Sequence, residues 1–163
     1  MPLATQTSPS RSASPVARAI LLGGLLCGAL DIAAAILVYG AMGLPPLRLL
    51  QGIASGLLGP RAFEAGSASA ALGLFLEFFI SWGAAAVYVA ASRALPFLTR
   101  RIALAGPLYG FAVYWFMQLV VLPLSRYHMR PFSWQLTLIG IAIHITCVGP
   151  PIAWAAKRAG KRN

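Results

Sequence analysis

The sequence predicts an all-α integral membrane protein, a four-helix bundle with a short interfacial or re-entrant helix after the first span. The 163-residue chain is 59% hydrophobic and only 10% charged, whereas charged residues make up about 25% of an average soluble domain. Four apolar windows, near residues 18–41, 68–92, 102–125 and 134–156, each reach the roughly 20 residues with which a helix crosses a bilayer. Length and composition together therefore indicate four crossings.

The predicted membrane domain covers residues 17–157 and lies between two polar tails. Residues 1–16 are rich in Ser, Pro and Thr, a composition that predicts a flexible cytoplasmic tail. Residues 158–163 form a basic cytoplasmic tail that we expect to lie against anionic lipid. The first apolar run should remain as a span and not be cleaved as a signal peptide, because it is long and contains Asp31.

The positive charges predict an orientation in the membrane. The chain has 13 Lys and Arg against 3 Asp and Glu. Nine of the basic residues precede the first span, separate the second from the third, or follow the fourth: Arg11, Arg18, Arg93, Arg100, Arg101, Lys157, Arg158, Lys161 and Arg162. Four occupy the other two segments: Arg48, Arg61, Arg126 and Arg130. The positive-inside rule then places both termini in the cytoplasm, and we expect the bilayer, not nucleic acid, to be the partner of this charge.

A short helix is predicted after the first span. The segment between Gly40 and Gly66 contains three prolines and is too short to span. Pro46 suits a first helical turn, and Gly59 followed by Pro60 suits a stop. We expect this helix to lie in the interface or to dip into the bundle, with Gln51 and Ser55 on its docking side.

Each span carries its small and polar residues on one helical face, which should contact other helices. The four faces contain Gly24, Cys27, Gly28, Asp31 and Ala35; Ala70, Gly73, Glu77, Ser81, Ala84 and Tyr88; Gly106, Gly110, Tyr114 and Gln118; and Thr137, Gly140, His144, Cys147 and Pro151. In the second span, Leu72, Leu74, Phe75, Phe78, Phe79 and Val87 should face lipid. The short link at residues 93–101 predicts that spans two and three are antiparallel neighbours.

The candidate site is an intramembrane polar layer formed by Asp31, Glu77, Gln118 and His144. Counting about 1.5 Å per residue from the outer end of each span places all four at similar depth, in the outer half of the bilayer. A charged side chain at the centre of a membrane helix costs about 2.5–3.5 kcal/mol, so such residues indicate either a function or an internal bond. The supporting residues are Gln51, Ser55, Ser81 and Tyr114.

Two acids and one imidazole favour transport or sensing of a proton, a cation or a small solute. The same side chains can equally serve as bonds between helices. The alternative is therefore a non-catalytic accessory or structural membrane protein that binds a membrane partner or self-associates. An enzyme ranks third, because the sequence contains no phosphate loop, dinucleotide fingerprint or nucleophile elbow.

A metal site is a weaker variant of the same hypothesis. Cys27 and Asp31 are spaced i, i+4, and His144 and Cys147 are spaced i, i+3, so each pair shares a helix face. Since the sequence contains no CxxC or HExxH motif and buried cysteines usually just pack, we predict no metal and no cofactor.

Three segments resemble a family of small uncharacterised four-span proteins of the bacterial inner membrane. They are LLQGIASGLLG (49–59), SAALGLFLEFFIS (69–81) and PLYGFAVYWFMQLVVLPLS (107–125). The Gln-x-Ile-Ala-Ser-Gly and Val-Leu-Pro-Leu-Ser runs occur in the same order, and the resemblance covers residues 20–155. The family pattern has His at the position of Glu77 and Asn at that of Gln118. The resemblance implies an inner-membrane location and four helices, and it brings no activity.

Overall fold

The four predicted spans are present as long helices. The structure, a computed structural model, describes residues 14–128 and 131–160, and every regular element in these residues is helical. Four helices are long and apolar enough to cross a membrane: α1 (Pro15–Ala41), α3 (Gly66–Ala94), α4 (Ile102–Leu124) and α5 (Trp134–Ala159). Their ends agree with the predicted windows to within three residues. The predicted all-α class and the multi-pass membrane architecture are confirmed.

The helices begin and end slightly outside the predicted membrane domain. The Ser14 hydroxyl accepts a hydrogen bond from the Ala17 N–H at 3.2 Å, and Pro15 is the first helical residue, so α1 has a side-chain cap and a favoured N1 residue. The last helix continues to Gly160 with Lys157 and Arg158 in its final turn, where cations are favoured. Residues 15–16 and 158–160, which belong to the predicted tails, are therefore helical, and residues 1–13 and 161–163 lie outside the described residues.

The short helix α2 (Pro46–Leu58) has the predicted ends and packs against α3. It stops at Gly59, whose φ of +64° is accessible mainly to glycine, and a 3-10 turn (Gly59–Phe63) follows. Gln51 and Ser55 are buried, whereas Leu57 is 55% exposed. The side of α2 that was predicted to dock on the bundle is therefore the buried side.

Helix α1 lies at the centre of the packing. It contacts α3 on one side and α5 on the other, and α4 packs mainly against α5. The prediction that spans two and three are neighbours is wrong for most of their length. They meet chiefly through Tyr109, whose hydroxyl donates to the Ala84 carbonyl at 2.7 Å and whose ring lies 4.8 Å from that of Tyr88. The short link limits how far apart their ends lie, but it does not choose the helix against which α4 packs.

Glycine faces determine the neighbours. A Cβ at Gly24 would collide with Trp82 of α3, and one at Gly28 would press on the Phe78 ring. At the α4–α5 contact, a Cβ at Gly110 would collide with the His144 carbonyl. These close approaches are typical of membrane helices that pair through small residues.

The apolar residues divide between lipid and an internal cluster. On α3, Phe75, Phe79 and Val87 are about 60% exposed, at 59%, 62% and 61%, as predicted for lipid-facing residues, whereas Phe78 packs on Gly28 instead. We call the end where α1 begins and α5 finishes the terminal end, and the opposite end the α2 end. The buried cluster occupies the terminal half and consists of Ala19, Cys27, Ala85, Tyr88, Val89, Val148, Ile152, Ala153 and Ala156.

Candidate functional site

Two acidic side chains meet at the interface of α1 and α3. The Asp31 and Glu77 carboxyl groups are close enough to interact directly, and the Cys27 thiol lies near both. The Asp31 Oδ1 atom is buried and has no hydrogen-bond partner among residues 14–128 and 131–160. Two carboxylates without a neighbouring cation cannot both be ionised cheaply in a medium of low dielectric constant. The pair is therefore suited to hold one proton or one cation.

The helix packing beside the acids explains why they are so close. Gly24 and Gly28 bring α1 against Trp82 and Phe78 of α3, one to two turns towards the terminal end from Asp31. The contacts pair residues 24 with 82 and 28 with about 78–81, and continuing this antiparallel register one turn further places Asp31 opposite Glu77. The close packing at Gly24 and Gly28 therefore brings Asp31 and Glu77 together one turn further along the helices.

A thiol and a hydroxyl lie directly beneath the acids. The Cys27 thiol donates to Ser81 Oγ at 3.6 Å, and both residues are nearly inaccessible, at 1% and 4% exposure. They precede Asp31 and follow Glu77 by four residues on their respective helices, so they form the next level of the same face. Below them, the buried cluster closes the terminal half.

The tyrosines of the terminal half are bonded to backbone carbonyls. Tyr88 donates to the Leu98 carbonyl at 2.8 Å, and Tyr109 donates to the Ala84 carbonyl. Their hydroxyls are therefore engaged in joining α3 to the link and to α4. These two bonds connect helices, and among the described residues they do not continue the Cys27–Ser81 bond as a chain of hydrogen bonds.

His144 lies at about the height of the acid pair but is bonded to its own helix. Contacts of Gly23 with Ala155 and Ile152 set the register of α1 against α5, and this register places His144 level with Asp31 to within about one turn. The His144 Nδ1 atom lies 2.9 Å from the Gly140 carbonyl, which requires a proton on Nδ1. Its ring packs edge-on against Tyr114, with centroids 5.3 Å apart.

Gln118 lies nearer the α2 end than the other three members of the predicted layer. Gly110 of α4 faces His144, and Tyr114 faces Gly140, so the same antiparallel register places Gln118 about two turns, or roughly 12 Å, beyond His144. No hydrogen bond of the Gln118 side chain occurs within residues 14–128 and 131–160. The common depth expected from the sequence does not extend to Gln118, because counting from span ends ignores how the helices slide against each other.

Two π-helical turns contain polar residues of the candidate layer, and neither turn is among the features predicted from the sequence. Met117–Val121 contains Gln118, and His144–Val148 contains His144 and Cys147. Each π turn closes two residues or fewer before a proline, Pro123 or Pro150, which cannot donate the next helical hydrogen bond. Proline at these positions was the available signal for a local widening of the helix.

Of the two supporting residues on α2, Gln51 bonds to the start of α3, whereas Ser55 bonds within α2 itself. Gln51 Nε2 donates to the Gly66 carbonyl at 3.0 Å, while its Oε1 atom is buried and has no hydrogen-bond partner in the described part of the chain. Ser55 donates to the Gly52 carbonyl at 2.6 Å. Gly73 of α3 packs against the Leu50 carbonyl, so the backbones of α2 and α3 are in direct contact at this position.

The weak metal candidates do not form a ligand set. Cys27 and Cys147 are both free thiols. Within the described ranges, no three His, Cys, Asp or Glu side chains come together in a way that would hold a metal ion.

Comparisons with protein-family models, with curated proteins and with solved structures find no significant match to the chain. The resemblance drawn from its sequence segments consequently stays a prediction. Any functional conclusion has to come from the geometry of the bundle.

Proposed function

We propose that the protein binds and exchanges a proton or a small cation at the Asp31–Glu77 pair, in transport or in sensing. The proposal rests on the two facing carboxyl groups, of which Asp31 Oδ1 is buried without a hydrogen-bond partner. Acids at this depth are costly unless they are used or internally paired. A proton or a monovalent cation would relieve the repulsion between them.

The surroundings give the proposed exchange a direction. On the terminal side, the acids are followed by the Cys27–Ser81 bond and then by the buried apolar cluster. That cluster makes direct access from the terminal end unfavourable in this arrangement. We therefore propose that the pair is reached from the α2 end, and that exchange with the opposite side requires the helices to move.

We also propose that both chain termini lie in the cytoplasm and that the membrane is the bacterial inner membrane. The distribution of Lys and Arg supports cytoplasmic termini, and the sequence resemblance supports a bacterial inner membrane. On this view the acid pair faces the non-cytoplasmic side. The basic residues of the last turn, Lys157 and Arg158, would then lie near the anionic surface of the cytoplasmic leaflet.

The test is an ion-flux assay with purified protein in liposomes. Proton movement is followed with an enclosed pH-sensitive dye after a pH step, with sodium and potassium gradients as separate arms. Asp31→Asn and Glu77→Gln should each abolish flux or its ion dependence while the helix content is retained. Glu64→Gln is the matched control, because Glu64 is an exposed acid outside the spans.

The result that rejects the proposal is equal flux in the native protein and in the double variant, or no flux and no ion-dependent change in any arm.

A scaffold role is the second candidate, and a specific observation favours it. Gln51, Ser69, Tyr88 and Tyr109 all donate to backbone carbonyls in other segments, which is the pattern of polar groups that join helices. For a scaffold, the acid substitutions should instead unfold the bundle or dissociate it from a partner.

A further inference from the structure

A cleft at the α2 end is lined by positive charge. Two arginines, Arg61 of the 3-10 turn and Arg126 after α4, border it together with Leu58, Gly59 and Pro60. Its volume is about 480 Å³, within the range of about 300–1,000 Å³ that is usual for ligand sites. The cleft is separate from the acid pair, which lies between α1 and α3.

The two arginines are available to a ligand. Both are exposed, and neither guanidinium has a hydrogen bond to another residue in the described part of the chain. By contrast, Arg48 of α2 donates to the Phe63 carbonyl at 3.3 Å and lies over the Phe63 ring. Both of the described arginines that line this cleft, Arg61 and Arg126, therefore have guanidinium groups that could bind a ligand.

Backbone contacts hold the two arginines in place. The Arg126 N–H donates to the Gly56 carbonyl at 2.8 Å, which fastens the segment after α4 to the last turn of α2. Ser125 accepts from the Tyr127 N–H at 3.1 Å and fixes the following turn. Gly59, with its positive φ, turns the chain so that Pro60 and Arg61 form the facing wall. The site is thus built from two segments that are distant in sequence.

A second, more apolar cleft continues from the first. It measures about 300 Å³ and is lined by Gly52, Ser55, Gly59, Pro60, Phe63, Tyr127 and His128. The two clefts share Gly59 and Pro60. A ligand that fills both would place an anion between the arginines and an apolar part beside the open side of α2 and the Phe63 ring.

We propose that this pair of clefts binds a phosphate group that carries an apolar chain. Arginine matches phosphate with parallel N–H donors, and Arg side chains near the ends of membrane helices extend to the level of the lipid head groups. The phosphate lies between Arg61 and Arg126, and the chain follows the second cleft past Gly52. Inorganic phosphate could bind the same two arginines, but it has no apolar part that could occupy the second cleft.

The test uses the full-length protein in a neutral detergent, titrated with dihexanoyl phosphatidylglycerol and followed by native mass spectrometry. The double variant Arg61→Ala/Arg126→Ala should bind this lipid at least about tenfold more weakly. Arg93→Ala/Arg100→Ala is the matched control, since it removes the same charge at the terminal end, and its affinity should change less than about twofold. Equal affinity in the native protein and the first variant, or equal losses in both variants, would overturn the proposal.

A second variant separates the two sources of phosphate. A Cβ on Gly52 meets no atom within 4 Å, and Gly52 lines the second cleft, so we expect the side chain of Gly52→Leu to extend into that cleft. This variant should weaken binding of the short-chain lipid and leave the binding of inorganic phosphate unchanged. If inorganic phosphate binds as tightly as the lipid, or if Gly52→Leu leaves lipid binding unaltered, the assignment of the second cleft to an apolar chain is wrong. Circular dichroism confirms that each variant keeps its helix content.

Discussion

Gly110 of α4 packs directly against the backbone carbonyl of His144 in α5. A Cβ at Gly110 would overlap that carbonyl, and the equivalent contact one turn away brings Gly149 against the Gly106 carbonyl. The α4–α5 interface is therefore a backbone-to-backbone contact along two turns. This contact sets the level of His144 relative to α4, and it places Gln118 at a different level, nearer the α2 end.

This contact predicts that alanine substitutions at two glycines, both inside membrane-spanning helices, change the free energy of unfolding by different amounts. Gly110→Ala should destabilise the bundle by about 1–3 kcal/mol, because overpacked cores must shift to admit a methyl group. Gly83→Ala is the control, since a Cβ at Gly83 meets no atom within 4 Å, and it should be neutral or stabilising by about 0.5–1 kcal/mol. The measurement is reversible unfolding in mixed micelles. Similar stability of the two variants would contradict the contact.

The acid pair predicts an energetic coupling between its members. The effects of Asp31→Asn and Glu77→Gln on the free energy of unfolding should be non-additive by about 1 kcal/mol or more in a double-mutant cycle. Either substitution alone already removes the repulsion between the two carboxylates, or the proton that they share. The cycle of Asp31→Asn with Glu64→Gln should be additive within about 0.5 kcal/mol. Additivity in both cycles would mean that Asp31 and Glu77 do not interact.

The bond from Tyr109 to Ala84 predicts a modest cost for removing one hydroxyl. Tyr109→Phe should lower the free energy of unfolding by about 0.6 kcal/mol, the average for hydrogen bonds between membrane helices, and by no more than about 1.7 kcal/mol. Tyr127→Phe serves as the comparison, since no hydrogen bond of its hydroxyl occurs among residues 14–128 and 131–160. Chemical unfolding followed by tryptophan fluorescence gives both values, and a larger loss for Tyr127→Phe would refute the assignment.

The positive φ of Gly59 predicts that the end of α2 requires glycine. Gly59→Ala should cost about 1–3 kcal/mol, because the backbone of Gly59, with φ of 64° and ψ of −152°, lies in a region that is essentially restricted to glycine. Gly52→Ala, inside α2 with open space around it, should stabilise by about 0.5–1 kcal/mol. Thermal unfolding in detergent distinguishes the two, and an unchanged midpoint for Gly59→Ala would show that the turn tolerates a side chain.

Much of this architecture follows from local sequence. Apolar length defines the four spans, the prolines and Gly59 delimit α2, and the small residues of each span mark its packed face, because these features act through the helix to which they belong. Burial of Ala70, Ser81 and Tyr88 on α3 agrees with its predicted face.

Only the tertiary structure decided which faces pair and at what height. Helix α4 packs against α5 and not chiefly against α3, because Gly106 and Gly110 admit the backbone at Gly149 and His144. That register leaves Asp31 beside Glu77 and moves Gln118 about two turns away from His144. Helix content is fixed by neighbours along the chain, whereas the sliding of one helix on another depends on interlocking surfaces that no single segment contains.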